Sequence, residues 1–188
     1  MESPEIELSI TDVQWAAETA RASFARWQSQ RGHYNNRLNS HFKGKLGELA
    51  VEKFLLDQNL KLDSHFRFAD REKLADIVVK IRGYNKVLRV EVKTWSGNYW
   101  HDLGRCISVD QFPDLKRKAD VVVWCVTDID TPTDPPIPAT ILLAGWSTMD
   151  EISMAPIRLT GYDNMRKVEN HQLGEAGLRD MRDLLSAS

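Results

Sequence analysis

Two acids and a lysine carry the most chemistry in this chain: Asp76, Glu91 and Lys93. The segments Asp76–Ile81 and Val87–Lys93 both alternate in polarity and flank Gly83-Tyr84-Asn85, the signal of a β-hairpin. Successive strand side chains point to opposite faces. Leu88, Val90 and Val92 therefore share an apolar face with Ile77, Val79 and Ile81, while Val87, Arg89, Glu91 and Lys93 share the other with Asp76, Val78 and Lys80. Two registers are open. If Gly83-Tyr84 is the two-residue loop, paired numbers sum to 167 and Asp76 lies directly across from Glu91, with Cβ atoms about 5 Å apart. If Tyr84-Asn85 is the loop, the sum is 169, and Asp76 faces Lys93 with Glu91 on the diagonal. In both, two carboxylates and one ammonium group converge.

Opposed carboxylates are hard oxygen ligands suited to Mg²⁺, a cation that keeps several waters and is often completed by a substrate phosphate. A lysine two residues beyond the second carboxylate can hold an attacking water and stabilise charge building on phosphorus. An E-x-K tripeptide on a strand is by itself common, and its bland reading is an exposed ion pair.

The surrounding pattern supplies the elements that must hold these groups. Residues 11–30 read as an amphipathic helix through Val13, Ala17, Ala20, Phe24 and Trp27, with Thr11 and Gln14 as a capping box. Arg31–Lys43 has no period and reads as a loop. A second helix is expected over about Lys45–Gln58, burying Leu46, Ala50, Phe54 and Leu55. After the hairpin come a short strand at Cys106–Val109, a helix at Gln111–Lys118 and the continuous apolar run Ala119–Thr127, a strand buried on both faces. Thr140–Trp146 is another buried strand, Ser147–Met154 a short helix and Glu175–Leu185 a terminal helix. Helices flanking a mixed sheet make this an α/β domain.

The string A-D-I-V-V-K, a turn, then V-L-R-V-E-V-K-T-W resembles the core of the PD-(D/E)XK nuclease superfamily, the restriction-endonuclease-like fold. That superfamily begins one strand with Asp, carries D/E-x-K on the next, and has an α-β-β-β-α-β core. Asp76, Glu91 and Lys93 match those positions one by one. Many members also place a glutamate on the preceding core helix, and K-G-K-L-G-E-L-A-V-E-K-F-L resembles that helix, with Glu48 as the matching residue. The similarity covers roughly Lys43 to Thr127, extending toward Trp146. Ala75 stands where the superfamily's name has proline.

The resemblance implies a Mg²⁺-dependent DNA endonuclease, with Mn²⁺ as a substitute, leaving a 5′-phosphate and a 3′-hydroxyl. It implies that Asp76 and Glu91 ligate the metal with the Val92 carbonyl, that Lys93 positions the water, and that Glu48 reaches the site from its helix. A restriction-type enzyme of this kind would be a sequence-specific homodimer. The alternatives are a structure-specific repair or recombination nuclease, such as a junction resolvase, and a non-catalytic nucleic-acid-binding domain retaining the fold.

Charge distribution bears on the DNA expectation. The net charge is −2, yet no Asp or Glu occurs between Glu18 and Glu48, a stretch carrying Arg21, Arg26, Arg31, Arg37, Lys43 and Lys45. That leaves 19 basic against 27 acidic residues elsewhere, so a +6 segment is balanced by −8. A block of one sign is what phosphate binding needs, which nominates Arg31, Arg37, Lys43 and Lys45 as phosphate contacts beside the Glu48 helix.

The chain's 188 residues match one domain, expected as an N-terminal helix and basic loop (1–43), a catalytic core (44–146) and a C-terminal helical extension (147–188). Apolar runs are strand-length, far short of a ~20-residue membrane span, and the acidic N-terminus lacks the plan of a secretion signal. Cys106 and Cys125 sit among β-branched residues as a buried, reduced pair, so the expected location is cytoplasmic. His33 and His41 have no Cys partner at zinc-ligand spacing. Asp128–Asp134 faintly suggests a calcium loop but lacks Gly at its sixth position and has Ala139 at its twelfth. Trp95, Tyr99, Trp100, His101 and Arg105 follow the lysine, either to stack on bases or to close one end of the core. Asp120, opening the buried strand, reads as a structural or capping acid.

Overall fold

The sheet that carries the hairpin is built by six of the chain's strands. The computed structural model describes residues 3–27, 37–71, 73–80, 87–161 and 167–184, and side chains for all of these except 25–27 and 37. The strands are β1 (Glu5–Leu8), β2 (Lys61–Ser64), β3 (Ile77–Lys80), β4 (Val87–Ser96), β5 (Cys106–Ser108), β6 (Val121–Thr127), β7 (Ala139–Thr148), β8 (Ile157–Thr160) and β9 (Val168–Gln172). The helices are α1 (Ile10–Trp27), α2 (Arg37–Asp57), α3 (Gly97–Leu103), α4 (Phe112–Lys118) and α5 (Met149–Met154). The large sheet has the order β1-β7-β6-β4-β3-β2, and β5-β9-β8 form a separate small sheet.

In the large sheet β4 and β6 run parallel and the other neighbouring pairs antiparallel. A parallel pair needs a crossover connection, here the segment containing α3, β5 and α4. The result is a mixed α/β sheet flanked by helices. Val90, Val92, Val121, Val123 and Cys125 face the core made with α1 and α2, whereas Val122 and Trp124 face the second core with Trp100, Leu115, Met149 and Ile152. The unbroken apolar run of β6 thus reflects burial on both faces.

Sequence and structure differ at several elements. α1 is capped by Ser9 and Asp12, which exchange backbone and side-chain hydrogen bonds, and not by Thr11 and Gln14; Gln14 instead donates to Glu18. α2 begins at Arg37, so the second half of the expected Arg31–Lys43 loop is helical; burial of Phe42 adds a core contact that the polar run around it conceals. The Trp95–Arg105 segment completes β4 and contains α3. Among the described residues of the expected C-terminal helical extension, α5 is the one α-helix, with Thr148 and Glu151 forming a capping box. Beyond it the described residues form β8, β9 and two single 3₁₀ turns, Glu175–Gly177 and Met181–Asp183, in place of the helix expected at Glu175–Leu185. Trp146 explains the change: its backbone pairs with Arg179 in both directions and its indole donates to Asp180 O, so this segment bonds to β7 and not to itself.

α2 crosses β4 at Gly47. A Cβ there would collide with Thr94 Oγ1 and press on the Val92 side chain, so only glycine lets helix and strand approach this closely. Gly47→Ala is expected to cost about 1–3 kcal/mol and lower Tm by several degrees, measured by thermal melting. Adding Thr94→Ala removes the buried, unpartnered hydroxyl that the methyl meets and restores most of the loss.

Candidate active site

The β3–β4 register settles which hairpin geometry operates. Ile77 pairs with Val90 and Lys80 with Val87, so paired numbers sum to 167, the register with Asp76 opposite Glu91. The turn residues Gly83, Tyr84 and Asn85, and Ile81, lie outside the described residues. β3 ladder pairing stops at Ile77, and the Asp76 carboxylate takes over: its Oδ2 accepts from Val92 N at 2.8 Å. The approach to Asp76 is held without proline. His65 Nδ1 lies 3.0 Å from Ala75 O, and Phe66 N donates to Asp76 O at 3.1 Å.

Glu91 is 3% exposed, an unusual setting for a carboxylate. Two ammonium groups share it: Lys93 Nζ donates to Oε1 at 2.6 Å, and Lys118 Nζ forms an ion pair with Oε2 at 2.6 Å. Burial pushes Glu91 up, but Lys93 and then Lys118 outweigh it, and its carboxyl titrates below the usual range. Lys93 is held charged: burial opposes its charge, while Glu91 and Asp76 more than offset that. Asp76 moves the other way. Burial, then the Glu91 charge, raise it to about 6 against the pull of Lys93, Lys118 and the Val92 amide.

Glu48 enters from α2. It is 8% exposed, and Lys45 Nζ donates to its Oε2 at 2.6 Å. Burial and the neighbouring Asp76 charge nevertheless push it up to about 8. Glu48, Asp76, Glu91 and Lys93 thus form one electrostatic unit. Glu52, one helical turn on from Glu48, is instead neutralised by Arg67, which also stacks on Trp15 and Phe66. That pair reads as structural.

Glu91 and Lys93 line an open cleft of about 260 Å³ with Asp110, Gln111, Asp114, Leu115 and Lys118. Among the described residues, no group of three or more His, Cys, Asp or Glu is placed to hold a metal ion. The Glu91 oxygens face two lysines, and Glu48 Oε2 faces Lys45.

Of the nominated phosphate contacts, Arg31 lies outside the described residues, and Arg37 opens α2 with its side chain undescribed. The other two turn inward. Lys43 pairs with Asp130 at 3.2 Å, while Lys45 serves Glu48 and Phe66 O. Asp130 also accepts from Ser96 Oγ, so the acidic 128–134 loop ties α2 to the end of β4. Trp100 and Arg105 are internal as well: Trp100 is buried, and Arg105 stacks on it while donating to the carbonyls of Trp100, His101 and Leu173. Cys125 is buried and Cys106 half-buried; both thiols are free, and burial raises each, Cys106 to about 12. Asp120 has the structural role read for it, accepting from Arg89 N and the Arg89 guanidinium.

The residue that sequence reasoning missed is Lys118. It lies 27 positions beyond Glu91, inside a K-R-K run that reads as the solvated last turn of a helix. No helix among the described residues is long and apolar enough to cross a membrane. No family model matches the chain, and no curated protein or solved structure matches it.

Proposed function

We propose that this chain is a divalent-metal-dependent nuclease of the restriction-endonuclease-like, PD-(D/E)XK type that hydrolyses DNA phosphodiester bonds. The observation that carries the reading is Asp76 set opposite Glu91 in the hairpin register, beside Lys93 and with Glu48 arriving from α2. Support comes from the order α2-β2-β3-β4-α4-β6, which α3 and β5 interrupt between β4 and α4, and from the parallel pairing of β6 with β4; without that insertion it is the α-β-β-β-α-β order that the motif resemblance implies.

Asp76, Glu91 and the Val92 carbonyl are the hard oxygen donors that would hold Mg²⁺, with Mn²⁺ as a substitute. The chemistry of the set fits a cation: three carboxylates share the space, Glu48 destabilised by the charges of Asp76 and Glu91, and Asp76 by that of Glu91. When bound, the metal supplies Lewis-acid stabilisation of the phosphate and a more acidic water. Lys93, kept charged by Glu91 and Asp76, would orient the attacking water and face the charge developing on phosphorus. Glu48, pushed up to about 8, is available at neutral pH to donate or exchange a proton.

The test is to incubate the purified protein with supercoiled, linear and branched DNA, with and without Mg²⁺ or Mn²⁺. Metal-dependent nicking or linearisation, leaving 5′-phosphate ends, is expected. Fixed cleavage positions assign a sequence-specific, restriction-type enzyme and preference for branches a junction-resolvase-like enzyme. DNA binding without cleavage under any metal assigns a non-catalytic binding domain and overturns the proposal.

A further inference from the structure

We infer that Lys118 is a second phosphate-binding ammonium of this site, held on Glu91 until a divalent cation takes its place there. The inference rests on the nuclease reading and names how the site grips its substrate. α4 ends in three consecutive cations, and they do not behave alike. Lys116 pairs with Asp150 and Arg117 with Asp114, both on exposed surface. Lys118 alone turns inward, to Glu91 Oε2.

Its placement is built by the backbone. Arg89 N donates to Asp120 Oδ2 at 2.9 Å, Asp120 N returns a bond to Arg89 O at 2.8 Å, and the Arg89 guanidinium reaches Arg117 O at 2.8 Å. Arg89 and Glu91 share one strand face, so the residue that clamps 117–120 to β4 also sets Lys118 beside the second carboxylate.

Charge decides what Lys118 can do. Glu91 is one carboxylate in direct contact with two ammonium groups, and the nearby Asp76 charge attracts both of them. A divalent cation drawn to Glu91 and Asp76 competes directly with the ammonium on Oε2. Lys118 sits at the rim of the cleft with a quarter of its side chain already open, and displacement from Glu91 would leave its ammonium without that counter-ion. The group that complements it is the anionic phosphodiester whose chemistry Lys93 serves.

Competition and phosphate binding leave opposite marks on one variant, which a merely structural ion pair does not. In Lys118→Met, Mn²⁺ titrated calorimetrically into the full-length, DNA-free protein is expected to bind roughly fivefold tighter or better, because its competitor is gone. At saturating Mn²⁺ the same variant is expected to cleave plasmid DNA about tenfold slower or worse, with weaker DNA binding. Lys118→Arg restores DNA binding and most of the rate, and serves as the folding control if Lys118→Met melts early. Unchanged or weaker Mn²⁺ affinity in Lys118→Met, or a wild-type rate at saturation, overturns the inference. Failure of the nuclease reading looks different: there the wild-type protein itself neither binds Mn²⁺ nor cuts.

Discussion

Asp76→Asn is expected to lower Mg²⁺-dependent cleavage by about a thousandfold or more while leaving the protein as stable as wild type, or more so, at pH 8. The two effects have one cause. The Asp76 carboxylate accepts from the Val92 amide, and its charge is opposed first by burial and then by Glu91, which together outweigh the attraction of Lys93 and Lys118. Asparagine keeps an oxygen for that amide and removes the charge, so the fold loses a repulsion. The same charge is half of the pair that would hold the cation, so activity goes with it. A residue present only for packing shows no such divergence.

Glu91 and Lys93 test the same site from the other side. Glu91→Ala strands two ammonium groups in a half-buried space, so lost activity there would be confounded by lost stability; Glu91→Gln is the cleaner probe. Lys93→Ala leaves Glu91 with Lys118 and is expected to fold. Plasmid cleavage, read beside melting curves, checks all three. Retained cleavage in Asp76→Asn, Glu91→Gln and Lys93→Ala together removes the site from the reaction.

The second large effect is a pH-dependent one at Glu48. Its carboxyl is raised to about 8 in the folded chain, and that of Asp76 to about 6. A carboxyl raised by folding contributes stability that is fully present below its unfolded value and is lost as pH rises through the folded one. Metal-free protein is therefore expected to lose stability at this site between about pH 4 and 8, with Asp76 contributing up to about pH 6 and Glu48 up to about pH 8. Glu48→Gln removes the later loss. Its Tm advantage over wild type is expected to be near zero at pH 5 and to grow to roughly 5–10 °C at pH 9. Melting of both proteins across that range, in chelator, reads the difference. If Lys45 outweighs burial, the sign reverses and Glu48→Gln is the less stable protein at pH 9.

The backbone periods explain what was legible early. Side chains alternate across a strand whatever the strand packs against, so Asp76, Glu91 and Lys93 share a face by local geometry alone. An even-residue hairpin could only choose between two registers, and both kept the three together. α2 was readable from Leu46, Ala50 and Leu55, all of which are buried, but its first turns were not, because their polar residues are neutral in the helix-or-loop choice. β8 and β9 were not legible for a related reason: the alternation of β8 spans only Ile157–Thr160 and marks no buried face, since Ile157 and Leu159 are exposed, while β9 is largely polar.

By itself, the sequence determined the acid–acid–lysine face, the helices and buried strands that frame it, and the charge asymmetry of the chain. Only the tertiary structure decided how those charges are spent. It turned Lys43 to Asp130 and Lys45 to Glu48, away from any phosphate, and it brought Lys118 across a whole crossover to Glu91. The physical reason is one of range. Strand alternation and helix periodicity are set by neighbouring dihedrals, whereas an ion pair between residues 27 positions apart depends on where α4 ends relative to β4, which the Arg89–Asp120 clamp fixes only once the sheet has formed.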